Sequence, residues 1–358
     1  MRRTSLFLAA LLAVLLAGCR RNANVAPPIV SRWPVMSTIA ELSLPASQST
    51  NASTAQQIVA AAFSRVERDL SVFRPASEIA RINQSAGSNR VTDIARDTAE
   101  VLACALRVAR ESGGAFDPTV SPLMKLWGFR GGATGGPPAE AAIRATRDRV
   151  GWRHVRLAVD PATDPPRASI SLDRPGMQLD LGGIAKGFAV DRASDALRRA
   201  GVGNFLVNLA GNMRGLGGPH AGRQGWRIGI RDPARSDAWI GTVTLADGEG
   251  IATSGSYERF VVLDGRRYAH IIDPRSGHPV AGILSVTVLA PSAMEADALS
   301  TALFVLGPDA GRGLLIAHPG CQAVYLLDTQ PPRLLATAGL RTRLVPAPAW
   351  RQALQWLD

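Results

Sequence analysis

The chain has 358 residues, 46% of them hydrophobic and 19% charged, with 35 Gly and 24 Pro. At about 150 residues per domain this is one large domain or two ordinary ones, and the composition excludes disordered, collagenous and coiled-coil classes. The net charge is +11, yet Lys125 and Lys186 are the only lysines among 40 basic residues, and the arginines are scattered without interleaved aromatics, so the excess reads as a residue-usage bias and no nucleic-acid partner is expected.

Arg2 and Arg3 precede an apolar run from Leu6 to Leu16 that ends in Leu16-Ala17-Gly18-Cys19. The run is shorter than the ~20 residues that span a bilayer, and small residues before a cysteine resemble a lipobox. A lipoprotein signal peptide over 1–18 is therefore expected, with Cys19 lipidated and residues 19–34 as a tether. The alternative is an ordinary secretory signal with an incidental cysteine. Acyl chains contribute ~0.8 kcal/mol per buried methylene, so the mature chain would be held on a bacterial membrane, outside the cytoplasm. Cys104 and Cys321 then read as two buried thiols, with no zinc-type Cys/His spacing.

The pattern Ser53-Thr54-Ala55-Gln56 reads as a capping box before Ile58, Ala62, Val66 and Leu70, predicting a helix to about Leu70. Asp97-Thr98-Ala99-Glu100 reads as a second, opening a helix that Gly113 and Gly114 stop. The Gly-rich stretch 131–138 is a flexible excursion, followed by a short helix over 139–149. From Met177 the pattern is strand (177–181), Gly-rich turn, helix (185–200, closed by Gly201) and strand (204–209). Asp264-Gly265 between residues 259–263 and 266–272 is a strong hairpin signal. A strand over 284–289, a capping box at Ser292 to Glu295, a helix to about Leu306 before Gly307-Pro308, and a strand over 322–327 complete the list. Hairpins mixed with helix crossovers predict an α+β fold with mixed, largely antiparallel sheets and packed helices, without a boundary inside 35–345 and with 346–358 as a C-terminal tail.

Three places could carry chemistry. Asp180-Leu181-Gly182-Gly183-Ile184-Ala185-Lys186-Gly187 sits between strand and helix, where glycines admit close backbone approach and helix amides favour anions. It matches neither GxxxxGK[ST] nor GxGxxG, and Gly-Gly after a strand is often a plain turn. Lys186, one of two lysines, could meet a phosphate oxygen or a carboxylate there. Asp297 and Thr301, spaced i, i+4, offer hard oxygen ligands to Mg²⁺, or else bond each other and nearby backbone. His270, in Tyr268-Ala269-His270-Ile271-Ile272-Asp273-Pro274, could serve as a general base or as a structural hydrogen-bonder.

Together these segments resemble the ApbE family of Mg²⁺-dependent FAD:protein FMN transferases. The collinear matches include Met36-Ser37-Thr38, Phe73-Arg74-Pro75, Gly114-Ala115-Phe116-Asp117-Pro118, Leu126-Trp127-Gly128-Phe129, Asp180 through Gly187, Ala252-Thr253-Ser254-Gly255, His270 through Pro274, and Ala296-Asp297-Ala298 with Thr301. The resemblance covers roughly residues 35–307 and implies a T-fold-type single catalytic domain over 35–345. By position it implies FAD contacts at Met36, Phe73, Ala115, Phe116, Asp117, Asp180, Lys186 and Ile271. It implies a Mg²⁺ site, with Mn²⁺ as a substitute, at Gly183 (through its carbonyl), Asp297, Ser300 and Thr301. Phe73 stands where the family often has Tyr, Ser37 where it often has Gly, and Ala210-Gly211-Asn212 where it commonly has Gly-Gly and an acid.

The implied reaction is attack by a client's Thr or Ser hydroxyl on the FMN-side phosphorus of FAD, with AMP leaving. His270 is the expected proton acceptor and Lys186 the expected diphosphate contact. Respiratory flavoproteins of the Nqr and Rnf type are the implied clients. An FAD diphosphatase and a non-catalytic flavin-binding lipoprotein are the competing readings.

Overall fold

The computed structural model describes residues 26–88, 92–131, 135–160, 167–220 and 225–357. The signal segment, Cys19 and residues 132–134 of the Gly-rich excursion lie outside the described residues.

A nine-stranded sheet runs in chain order: Ile29–Val35, Thr38–Leu44, Phe205–Leu209, Asn212–Leu216, Gly250–Gly255, Ile283–Ala290, Gln322–Leu327, Arg333–Thr337 and Leu354–Leu357. Its pairs are antiparallel except the last, which is parallel. Strand side chains alternate between faces, and both faces are buried: Ala323, Tyr325 and Leu327 join one core, Val324 and Leu326 another. The first face is covered by the helices Ala52–Leu70, Ala185–Arg199 and Ala293–Ala317. The second is covered by the three-stranded sheet of Arg227–Asp232, Arg235–Thr244 and Leu344–Pro346, which contributes Ile228, Ile230, Ile240 and Val243. The expected α+β class with largely antiparallel sheet is what the structure shows.

Several local expectations need correction. The helix Ala52–Leu70 follows a 3-10 turn over Ala46–Asn51, so Ser53 is already inside it and no side chain caps its start. The helix Arg96–Glu111 likewise lacks a side-chain cap, and Asp97 instead lies 3.2 Å from Arg192, a charged partner stronger than a backbone amide. The box at Ser292 does form, its hydroxyl accepting from the Glu295 N–H at 3.1 Å. Residues 177–181 make no strand beyond one bridge from Val120 to Gln178. The Asn83 side chain takes the place of a strand neighbour there, accepting from Leu179 N–H at 2.6 Å and donating to Leu179 C=O at 3.0 Å. The hairpin forms with Asp264 (φ 48°) and Gly265 (φ 72°) at its turn, but its second strand ends at Ala269.

The fold also reaches further out than 35–345. The strand Ile29–Val35, whose residues 29–34 were expected in the tether, pairs in full register with Thr38–Leu44 across the turn Met36-Ser37, both residues at positive φ as in a type I′ hairpin turn. Pro34 is tolerated because this strand is the sheet edge. Leu354–Leu357, placed in the tail, closes the opposite edge.

The helix opened by Ser292 breaks at Gly307 (φ 72°, ψ 177°) as expected, but a second helical run continues to Ala317. Ala293–Ala317 is the one helix among the described residues long and apolar enough to cross a membrane. Here it is a core element, broken at Gly307 and carrying buried Asp297 and Ser300.

The helix Ala185–Arg199 crosses the start of Ala293–Ala317 so closely that a Cβ on Gly187 would sit 2.1 Å from the Ala293 carbonyl oxygen. Gly187→Ala is therefore expected to cost about 1–3 kcal/mol by overpacking. Urea unfolding should show a lower midpoint with unchanged slope; an unchanged midpoint would mean that the crossing is not tight in solution.

Candidate active site

The turn after residue 179 is built by Asp180. Its Oδ1 accepts from Gly182 N–H at 2.9 Å, and its Oδ2 accepts from Arg130 Nε at 3.0 Å and from the same guanidinium's Nη2. Arg130 also lies 4.4 Å from the Phe73 ring centroid. Phe73 is 67% exposed, so its ring presents an aromatic face to a ligand beside a fixed cation. Sequence reading missed Arg130; its only signal was its place directly after Leu126-Trp127-Gly128-Phe129.

Lys186 opens the helix that follows. Its Nζ donates to Gly182 C=O at 2.9 Å and stands 3.6 Å from Asp297 Oδ1. Asp297 Oδ2 accepts from Gly187 N–H at 3.0 Å. Burial pushes the Asp297 carboxyl above its ordinary range, while the Lys186 charge and these hydrogen bonds oppose the shift. Gly183 is pressed against the same helix: a Cβ there would lie 3.1 Å from Thr301 Oγ1 and 3.2 Å from Phe116 Cε2. Ser300 Oγ donates to the Asp297 carbonyl at 2.9 Å and bonds Ser254 Oγ at 2.8 Å. Ser254, 3.4 Å from Thr301 Oγ1, is a second residue that sequence reading left without a role.

His270 follows the hairpin's second strand. Its Nδ1 lies 3.0 Å from the Arg259 carbonyl oxygen, which can only accept, so Nδ1 carries the proton and the neutral ring's lone pair is on Nε2. Burial first, then the charges of Arg259, Lys186 and Arg130, lower its pKa from 6.5 to about 4, against a hydrogen bond that works the other way. An uncharged imidazole with Nε2 available is a proton acceptor. The Lys186 and Arg130 charges that act on it place it in the same electrostatic neighbourhood as the Asp180 turn.

The remaining expected residues divide. Asp117 is buried and engaged within its own loop, accepting from Thr119 N–H at 2.8 Å, from the Thr119 hydroxyl at 2.6 Å and from Trp152 N–H at 2.9 Å. That shapes the loop holding Ala115 and Phe116, both buried. Ile271 is buried in the main core. Met36 sits on the strained turn lining a cavity of about 610 Å³ with Glu67, whose carboxylate pairs with Arg74 at 3.1 Å next to Phe73.

Residues 36–325 match the model of the ApbE family. The chain belongs to the ApbE family. It is 36% identical over 267 residues to the FAD:protein FMN transferase of Haemophilus influenzae, covering 73% of this chain and 75% of that one. It is 38% identical over 288 residues to the FAD:protein FMN transferase of Treponema pallidum, covering 78% of each. Among solved structures, the ApbE protein of Thermotoga maritima superposes with a TM-score of 0.73 at 30% identity, covering 91% of this chain and 99% of that one. The apo flavinyl transferase ApbE of Pseudomonas stutzeri superposes with a TM-score of 0.73 at 31% identity, covering 88% of this chain and 96% of that one.

The donor chemistry in this ApbE-family chain fits a hard divalent cation. Asp297 is a buried carboxylate, Thr301 one turn further along the helix has its hydroxyl 3.4 Å from the Asp297 backbone carbonyl, and Gly183 has no side chain to separate the turn from that hydroxyl. All are oxygen donors, the set that Mg²⁺ takes. Ser300 reaches the assembly through Ser254 and the Asp297 carbonyl.

The His270 ring is expected to stay neutral until about pH 4. Its folded pKa lies below the unfolded value of 6.5, so between these limits the unfolded chain takes up a proton that the folded chain refuses. Stability from this source is full above pH 6.5 and falls as pH drops towards 4. Histidine NMR titration checks it; a His270 resonance with a midpoint near 6.5 would overturn the assignment.

Proposed function

We propose that this chain transfers the FMN moiety of FAD to a Thr or Ser hydroxyl of a client protein, releasing AMP, with Mg²⁺ held by Asp297, Thr301 and the Gly183 carbonyl. The observation that carries the reading is the assembly of a buried carboxylate, a lysine and a Gly-rich turn beside an exposed aromatic ring and a neutral histidine. Relatives named FAD:protein FMN transferase support it.

In this mechanism the client's hydroxyl oxygen bonds to the FMN-side phosphorus as the bond to the AMP oxygen breaks, and the hydroxyl proton passes to His270 Nε2. Phe73 and Arg130 hold the flavin end, the Asp180 turn presents its amides to the diphosphate, and Lys186 orients a phosphate oxygen. Mg²⁺, when bound, neutralises diphosphate charge and stabilises the leaving phosphate. Phosphoryl transfer needs such positioning and charge more than covalent help.

The test is incubation with FAD, Mg²⁺ and a client peptide, read as an added FMN mass. Asp297→Ala should abolish turnover, and full activity of that variant in chelator would sink the metal assignment. His270→Ala should lower the rate ~10²- to 10⁴-fold with little change in FAD affinity. It should also remove the acidic limb expected near pH 4 for the wild type. FMN and AMP without peptide labelling would move the reading to a diphosphatase.

The same proposal places the protein on the outer side of a bacterial membrane, anchored through Cys19 and acting on respiratory flavoproteins of the Nqr and Rnf type. Cys19→Ser should release the protein from the membrane fraction; retention there would remove the lipid anchor from the reading.

A further inference from the structure

The break at Gly307 has a geometric result on the opposite side of the helix from the flavin turn. A straight helix would place residues 295 and 318 roughly 35 Å apart at ~1.5 Å per residue. The turned-back run instead returns His318 to the start of the same element, where its Nδ1 lies 3.0 Å from Glu295 Oε1. His318-Pro319-Gly320-Cys321 is a tight turn, with Cys321 N–H donating to the His318 carbonyl at 2.8 Å. Ligand atoms of Glu295, His318 and Cys321 all lie within 4.8 Å of one another. His318 and Cys321 are buried at 8% and 4% exposure, and Cys321 is a free thiol.

The other imidazole nitrogen completes a familiar metal-site arrangement. His318 Nε2 is 3.0 Å from Glu111 Oε2 on the helix Arg96–Glu111. Metal-ligating histidines commonly donate their distal N–H to a carboxylate, which fixes the ring and raises its basicity. The donors nitrogen, sulfur and oxygen suit a borderline-soft cation and are unlike the oxygen-only set at Asp297 and Thr301. His318 and Cys321, with two residues between them, have a chelating spacing, which corrects the expectation that no zinc-type Cys/His spacing is present; the structure adds Glu295 as the source of the third ligand atom.

We propose that Glu295, His318 and Cys321 form a second metal site, for a thiophilic divalent cation of the Zn²⁺ class, with Glu111 orienting the imidazole. Nδ1 ligates while Nε2–H donates to Glu111, and the Cys321 thiol gives its proton to solvent as the metal–sulfur bond forms. Bonds of ~2.0 Å to nitrogen and ~2.3 Å to sulfur require the ligand atoms to draw together by about 1 Å from their present spread. Among the described residues, Arg107 is the cation that faces the cluster and opposes a bound metal ion. Its guanidinium donates to Glu295 Oε1 at 3.1 Å and to Glu111 Oε2 at 3.3 Å, so its charge is matched by two carboxylates, and the thiolate adds the negative charge a cation needs. The bound ion would join both ends of the broken helix, two residues from Asp297.

The test uses Co²⁺ as a spectroscopic stand-in on the purified, reduced protein. The sequence has three cysteines, so in a Cys19→Ser/Cys104→Ser variant Cys321 is the only thiol. This variant and the wild type should both develop a thiolate-to-cobalt charge-transfer band in the near ultraviolet at one Co²⁺ per chain, displaced by Zn²⁺. His318→Ala should weaken Co²⁺ binding at least tenfold, and Mg²⁺ should leave the band in place. Absence of the band in the Cys321-only variant, or an identical Co²⁺ titration in His318→Ala, would overturn the proposal.

Discussion

The structure turns on the crossing between the helices Ala185–Arg199 and Ala293–Ala317. Gly187 lets the backbone of one helix press against the Ala293 carbonyl of the other, and no side chain could occupy that space. The close approach leaves amides of both helices without water, so buried acids serve them. Asp191 accepts from Ala293 N–H at 3.0 Å and Met294 N–H at 2.8 Å, capping a helix other than its own. Asp297 answers from the opposite side by accepting from Gly187 N–H. Two carboxylates thus join two helix starts, and each is compensated by a cation, Arg214 for Asp191 at 2.9 Å and Lys186 for Asp297. Removing one partner of such a buried pair leaves an uncompensated charge, which is why these groups are tied as pairs to the crossing.

The site is a consequence of that scaffold. The Asp180 turn enters one of the crossing helices, and Thr301 and Ser300 follow Asp297 along the other, so holding the helices together sets the separation between the turn and the oxygen donors. Burial of Asp297 raises the free energy of its charged form, and a divalent cation would supply what Lys186 supplies only in part. Rigid elements carry the donors, while beside them Phe73 sits on the exposed rim and Arg130, largely buried, is held by Asp180 under its ring.

The parts legible in the sequence were those whose cause is local. Asp264-Gly265 forms its turn because those two residues tolerate positive φ, and the Ser292 box forms because its partners are three residues apart. Asp297 and Thr301 share a helix face by spacing alone. What stayed hidden depends on residues far apart in the chain. Asn83 satisfies Leu179, 96 residues away, and so turns an expected strand into a braced extended segment. Arg130 meets Asp180 across 50 residues. The edge strand Ile29–Val35 was concealed by Pro34, which breaks a ladder in the middle of a sheet but not at its rim.

The hairpin that leads to His270 belongs to neither large core. A two-stranded ribbon is marginal by itself, and this one is held by a small apolar cluster in which Leu263 and Ile272 meet Leu123, Trp127 and Ile143. Trp127 fixes it twice, with its ring 5.2 Å from Tyr268 and its indole N–H donating to the Gly277 carbonyl at 2.8 Å. The segment Leu126-Trp127-Gly128-Phe129 thus bears on His270 at one remove, by setting where the ribbon lies. The same segment leads directly into Arg130, which acts on Asp180 and Phe73. One short loop therefore positions the proposed base on one side and the exposed Phe73 ring on the other, independently of the two crossing helices that set Asp297 and Thr301.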